Sequence, residues 1–203
     1  MCNLYQVAKS ANEVASLFGD IAWTQGNVGQ EVFPGYPGLV FDGQALRSMI
    51  WGFPRKMNSK ATGKPIKPKA VNNARTENLG EWFWQDSFRN RRCLIPLTAF
   101  AEPEGAKGSK TRTWFSLPGE EIFTCAGIWR DSAEWGPVYS MLITEPNAFV
   151  APVHERMPAI VAPADRSRYL GADEAGARAL CVPYGGELEV EHTQEPWNRS
   201  TSP

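Results

Sequence analysis

Short apolar runs, cut at close intervals by glycine and proline, leave this chain little room for long helices. With 18 glycines and 16 prolines among 203 residues, turns and short strands dominate the pattern. Strands are predicted at 93–96, 98–102, 111–116, 121–129, 137–144 and 158–162, and their spacing reads as an antiparallel sheet closing on itself. Helices are few. Ser10-Ala-Asn-Glu13 has capping-box spacing ahead of Val14, Leu17 and Phe18, with Gly19 as the stop. A second helix is predicted over 77–89, a helical turn at 148–153, and two short helices over 163–170 and 173–180, with Asp165 and Asp173 at N-terminal positions. The fold class expected is α+β: mostly antiparallel strands in a closed or barrel-like sheet, with short flanking helices.

A chain of this length makes one domain. That domain is expected over 1–195, followed by a loose polar tail at 196–203; the tail's loose character is expected from Gln194. The stretch 56–70 reads as a long loop inside the domain. No apolar run reaches membrane-spanning length and no basic-then-apolar leader opens the chain, so a soluble cytoplasmic protein is expected. No heptad pattern demands a dimer, so a monomer is expected. Cys2, Cys93, Cys125 and Cys181 form no CxxC pair and lack histidines at metal-finger spacing, so neither a metal site nor a disulfide framework is expected. The last three sit in apolar surroundings and read as core thiols.

Net charge is −1, but it is unevenly distributed. Residues 47–112 hold 14 of the 21 basic residues and only 5 acids, a surplus of nine positive charges. Aromatic residues interleave with them: Trp51 and Phe53, then Trp82, Phe83, Trp84 and Phe88 ahead of the Arg89-Asn-Arg-Arg92 run. Cations beside aromatic faces suit the phosphates and unstacked bases of single-stranded nucleic acid.

Cys2 follows the start methionine, and its small side chain permits removal of Met1. An N-terminal cysteine is a 1,2-aminothiol. Its α-amine has a reference pKa of ~7.7–8.0, so a useful fraction is neutral at pH 7 and can form a Schiff base with an aldehyde. The adjacent thiol can then close a five-membered thiazolidine on the imine carbon without a second encounter. Two other residues suit acid–base work beside such a nucleophile. His154 interrupts two apolar runs, and Glu102 ends an apolar run, where burial would raise its pKa.

Five motifs occur in order: Met1-Cys2-Asn3, Trp51-Gly52-Phe53-Pro54, Asn73-Ala-Arg75-Thr-Glu77, Arg92-Cys93-Leu-Ile-Pro96 leading to Phe100-Ala-Glu102, and His154-Glu-Arg156-Met157-Pro158. In this set the chain resembles the SRAP family (SOS response-associated peptidase), whose members sense abasic sites in single-stranded DNA through an N-terminal cysteine. The resemblance implies that Cys2 links covalently to the ring-opened sugar, Asn73 positions the amino terminus, Glu102 moves protons at the amine and sugar hydroxyl, and His154 assists imine formation and ring opening, with AP-lyase activity as an accompaniment. It further implies that Arg75 holds a flanking phosphate and that Arg156 and the Trp51 segment line the DNA groove. Trp84 and Arg89 from the basic aromatic stretch join that DNA-binding set. No cofactor is required, and the partner implied is abasic single-stranded DNA, including DNA at stalled forks, in the nucleoid.

Some positions depart from the family pattern. Leu4 stands where many members have arginine, Trp84-Gln85 where Phe-Arg is common, and Ala101 and Pro103 flank Glu102 in place of Tyr and Trp. Two alternatives remain open from the residues: an N-terminal-nucleophile or cysteine hydrolase using Cys2 and His154, and a non-catalytic module that binds single strands reversibly.

Overall fold

The structure is a computed structural model and describes residues 2–19, 21 and 28–197. In chain order the strands are β1 (Leu4–Gln6), β2 (Glu31–Val32), β3 (Pro37–Phe41), β4 (Leu46–Trp51), β5 (Phe53–Asn58), β6 (Pro65–Val71), β7 (Asn73–Arg75), β8 (Arg92–Leu97), β9 (Ala99–Glu104), β10 (Thr111–Ser116), β11 (Phe123–Ser132), β12 (Gly136–Thr144), β13 (Met157–Pro158), β14 (Ile160–Val161) and β15 (Glu189–Pro196). The helices are α1 (Ala11–Ser16), α2 (Gln85–Asn90), α3 (Arg166–Gly171) and α4 (Glu174–Arg178), with 3-10 turns at Thr76–Asn78 and Pro163–Asp165.

One sheet runs β15-β10-β9-β1-β2. In the other, β4, β3, β8, β11 and β12 pair in succession and β12 returns to β4, so five strands close into a ring. The expected α+β architecture with a barrel-like sheet is what forms. Closure leaves those strands no edge to protect and explains the apolar character of β8, every residue of which is buried.

Alternation along β8 divides the core. Cys93 and Ile95 join a cluster with Cys2, Tyr5, Trp51 and Phe100 between the two sheets, while Leu94 joins Trp84, Phe88 and Tyr169 beneath the helices. Cys93, Cys125 and Cys181 are buried free thiols, as their apolar surroundings predict.

α1 keeps its predicted cap: Ser10 accepts from the Glu13 N–H, and Glu13 accepts from the Ser10 N–H. Asp173 caps α4 through Gly176 N–H at 2.7 Å. Three expectations are corrected. The stretch 56–70 is not a loop but most of a hairpin: β5 and β6 pair antiparallel, and Gly63 at φ +67° helps close the turn. Both faces of its outer part are exposed, so it carries no period-two apolar signal. The predicted helix over 77–89 is reduced to α2, because three consecutive aromatics, Trp82-Phe83-Trp84, cannot share one helical face; Phe83 and Trp84 turn to pack against Phe53 and Trp82 stays outside against Phe83. Gln194–Pro196, read as loose, lie in β15, and Trp197 N–H donates to the Lys110 carbonyl at 2.8 Å. Residues 198–203 lie outside the described residues.

Gly52 is the hinge between the ring and the hairpin. Its φ is +127°, its N–H donates to Tyr139 O at 2.7 Å, and a Cβ there would lie 2.6 Å from Ala70 Cβ. Gly52→Val therefore adds strain to a clash and should lower unfolding stability by about 3 kcal/mol, read as a reduced urea midpoint. An unchanged midpoint would show that the hairpin base can shift freely.

Candidate active site

The site forms where the five-stranded sheet meets the end of β12. β1 pairs antiparallel with β9, Leu4 opposite Ala101, so the residues before Leu4 run toward Glu102. β12 carries β7 along one stretch, with Met141 opposite Asn73 and Ile143 opposite Arg75, and β13 at its end, with Thr144 opposite Met157. That pairing brings the 73–75 and 154–156 segments, far apart in sequence, to the same end of one strand.

Cys2 is fully buried. Two asparagine amides converge on its carbonyl, Asn73 Nδ2 at 2.7 Å and Asn72 Nδ2 at 2.9 Å, and Asn72 also reaches Asn3 Oδ1 at 3.1 Å. Asn72 was missed in the sequence because it precedes the recognised Asn-Ala-Arg motif; its twin amide beside Asn73 was the available signal. Asn73 Oδ1 is buried without a hydrogen-bond partner among the described residues, an acceptor facing the site. The Cys2 Sγ lies 3.6 Å from Leu4 O. Burial, reinforced by the neighbouring Glu102 charge, pushes the thiol well above its ordinary range, so it rests protonated.

Glu102 is also fully buried. Burial raises its carboxyl to about 8, with Lys110 pulling in the opposite direction, so it holds its proton at neutral pH. His154 Nε2 lies 3.7 Å from Glu102 Oε2. Partial burial lowers the imidazole, keeping it neutral and basic. Its Nδ1 is 3.1 Å from the Arg156 N–H and 3.0 Å from the Arg156 carbonyl, contacts that call for opposite tautomers. The ring can thus carry its proton on either nitrogen and keep a backbone partner. A carboxyl whose pKa is raised and an imidazole whose pKa is lowered stand side by side, so that at neutral pH the first is an acid and the second a base, an arrangement suited to proton transfer around a nucleophile.

Arg75 is exposed at the end of β7, with no ion pair among the described residues. Arg156 Nη2 pairs with Glu77 Oε1 at 2.8 Å. The remaining expected contacts fall elsewhere. Trp51 is fully buried and donates from Nε1 to Asn72 O at 2.9 Å, so it supports the asparagine pair and presents no face to a groove. Trp84 is buried against Phe53 and Phe83. Arg89 is exposed on α2 and pairs with Glu174 of α4 at 2.7 Å. The exposed aromatic of that stretch is Trp82, 86% accessible.

The profile of one family, SOS response associated peptidase (SRAP), matches residues 1–198. The chain belongs to the SRAP family. Among curated proteins, abasic site processing protein YoqW of Bacillus subtilis is 29% identical over 127 residues, covering 57% of this chain and 55% of the relative. Abasic site processing protein YoaM of the same organism is 31% identical over 128 residues, with the same coverages. The chain thus spans about half the length of the curated relatives it matches. A crystal structure of a protein from Bordetella bronchiseptica superposes with a TM-score of 0.80 at 21% identity, covering 95% of this chain and 99% of that one. One from Bacteroides thetaiotaomicron gives 0.76 at 20% identity, covering 94% and 91%. These two likenesses show a shared fold. No helix among the described residues is long and apolar enough to cross a membrane, and no group of three His, Cys, Asp or Glu among them could hold a metal.

Proposed function

We propose that this SRAP protein processes abasic sites in DNA by forming a covalent thiazolidine link through Cys2 once Met1 is removed. The observation that carries this reading is the convergence of Cys2, Asn73, Glu102 and His154 in one largely buried cluster. The relatives' names, abasic site processing proteins, point the same way.

In the proposed sequence, the neutral α-amine of Cys2 attacks the C1′ aldehyde of the ring-opened sugar to give a carbinolamine. Glu102, protonated at neutral pH, gives its proton to the departing hydroxyl, which leaves as water, and its carboxylate then takes the N–H proton of the resulting iminium, so that the neutral imine forms and Glu102 is restored. The thiol then adds to the imine carbon, its proton passing to His154 and on to the ring nitrogen. One water is lost overall and no oxidant or cofactor is needed. Asn72 and Asn73 hold the Cys2 carbonyl so that amine and thiol face the same carbon.

The raised thiol weighs against a cysteine hydrolase. A hydrolytic cysteine needs a depressed pKa to supply thiolate, whereas this thiol is buried and pushed up. An amine-first route needs no thiolate. For the strand itself, the β5–β6 hairpin offers Arg55, Lys56, Lys60, Lys64, Lys67 and Lys69, all exposed, in a stretch without a single acid. Binding is therefore expected to be strongly salt-dependent.

Intact-mass measurement before and after incubation with single-stranded DNA carrying one abasic site tests the reading. Loss of the Met1 mass followed by an adduct mapped to Cys2 is expected. Salt-sensitive binding without an adduct, equal on intact and abasic strands, would replace it with a non-catalytic binding module.

A further inference from the structure

A second cleft, of about 950 Å³, opens on the other face of the ring from Cys2. The two sites are separated by β8, whose Cys93 packs with Cys2 while its Leu94 lines the cleft. Among the described residues five arginines, Arg47, Arg89, Arg91, Arg92 and Arg166, border it against a single acid, Asp42.

Arg92 belongs to the fold. Its guanidinium is spent on the carbonyls of Phe88, Arg89, Tyr169, Leu170 and Ala172, tying α2 to α3. The other four keep donors in hand. Arg47 uses Nε on Asp42, and Arg89 uses Nε on Glu174. Arg91 bonds Asp86 through Nη2 and the Trp129 carbonyl through Nε. Arg166 has no carboxylate within ion-pair distance among the described residues; its Nε donates to Thr124 Oγ1 at 3.2 Å and its guanidinium lies 5.9 Å from the Phe18 ring. The charge of Glu120 reaches it only from beyond ion-pair distance, so this half-buried guanidinium has room for a closer anion.

Beside these cations Phe18 and Phe41 stack at 4.2 Å with their planes 19° apart, and both remain partly open to the cleft. Guanidinium forks next to open aromatic faces, in a cavity within the size range of small-ligand sites, match a phosphate joined to a flat ring. From this geometry we infer that the cleft is a second, non-covalent site for a nucleoside phosphate, either free or as part of a strand, with Arg91 and Arg166 holding the phosphate and the Phe18–Phe41 pair flanking the base.

The test is calorimetric titration of the full chain with pyrophosphate and with dAMP, and fluorescence titration with a 5′-phosphorylated octathymidylate. Each is repeated on Arg166→Gln and Arg91→Gln, with Cys2 crosslinking to abasic DNA measured in parallel. Saturable binding of at least one probe is expected, weakened at least about tenfold by either substitution while the crosslinking yield holds. Saturation by pyrophosphate or dAMP marks a free nucleotide as the source; an arginine-dependent response to the oligonucleotide alone marks a strand. No saturable binding, or binding that neither substitution weakens, overturns the assignment. Should Arg166→Gln fail to fold by circular dichroism, Arg91→Gln decides, since its partner Asp86 is exposed. Absence of crosslinking in the wild type would count against the Cys2 mechanism and leave the cleft result standing.

Discussion

Cys2→Ala is expected to abolish the stable adduct with abasic single-stranded DNA, lowering its yield at least about a thousandfold. The amine remains after this substitution, so an imine can still form, but it has no intramolecular thiol to close on. The proximity gained by placing the second nucleophile on the same residue is large, with effective molarities of about 10⁵ M or more in well-oriented cases. Its loss therefore outweighs any change in binding. Borohydride separates the two stages: it should trap the imine in Cys2→Ala and leave a covalent species that forms only when reductant is present. DNA affinity should stay within about threefold, because the phosphate contacts assigned to Arg75 and the hairpin are untouched. Denaturing gel electrophoresis with and without borohydride reads all of this. A heat-stable adduct in Cys2→Ala without reductant would exclude the thiazolidine, and loss of DNA binding with the adduct would recast Cys2 as a packing residue.

Glu102→Gln carries the second large effect, on stability and chemistry with opposite signs. In the folded chain burial raises Glu102 from 4.5 to about 8. Between those values the folded protein keeps a proton that the unfolded chain gives up, so the Glu102 contribution to stability falls as pH rises through that window and is flat above it. Glutamine is uncharged throughout. The variant should therefore match the wild type near pH 4 and exceed it by about 5 kcal/mol well above pH 8, at ~1.36 kcal/mol per pKa unit. Crosslink formation at pH 7 should meanwhile slow by about 10²-fold with DNA binding retained, since the amide has no proton to give the departing hydroxyl. Urea titrations at pH 5 and pH 8, with single-turnover crosslinking, measure both. A variant less stable than the wild type at pH 8 would mean that the carboxylate is a favourable structural partner and not a buried cost. A functional carboxylate that destabilises its own fold is expected where chemistry sets the pKa.

Much of the architecture was legible because its signals are local. The Ser10 cap, the Asp173 cap and the apolar runs of β8, β10, β11 and β12 each depend on residues a few positions apart, and each formed where expected. The β5–β6 hairpin was not legible. A strand pair exposed on both faces shows no alternation, and only backbone pairing, invisible in composition, distinguishes it from a loop. The aromatic stretch misled for a related reason. Trp51, Trp84 and Trp82 look alike in the chain, yet the first two are buried and the third is exposed, because burial depends on what packs above them.

The sequence by itself determined the α+β class, the reactive potential of Cys2, the excess of positive charge over 47–112 and, through the motif order, the SRAP resemblance. Tertiary structure alone decided which residues meet. β12 carries β7 and β13 together and so brings the Asn72–Asn73 pair and His154 to Cys2, and the antiparallel pairing of β1 with β9 puts Glu102 beside them. It also decided the protonation states: burial turns an ordinary carboxyl into a neutral acid and moves the thiol and the imidazole further from their charged forms. Charge states follow solvation, and solvation belongs to the folded molecule.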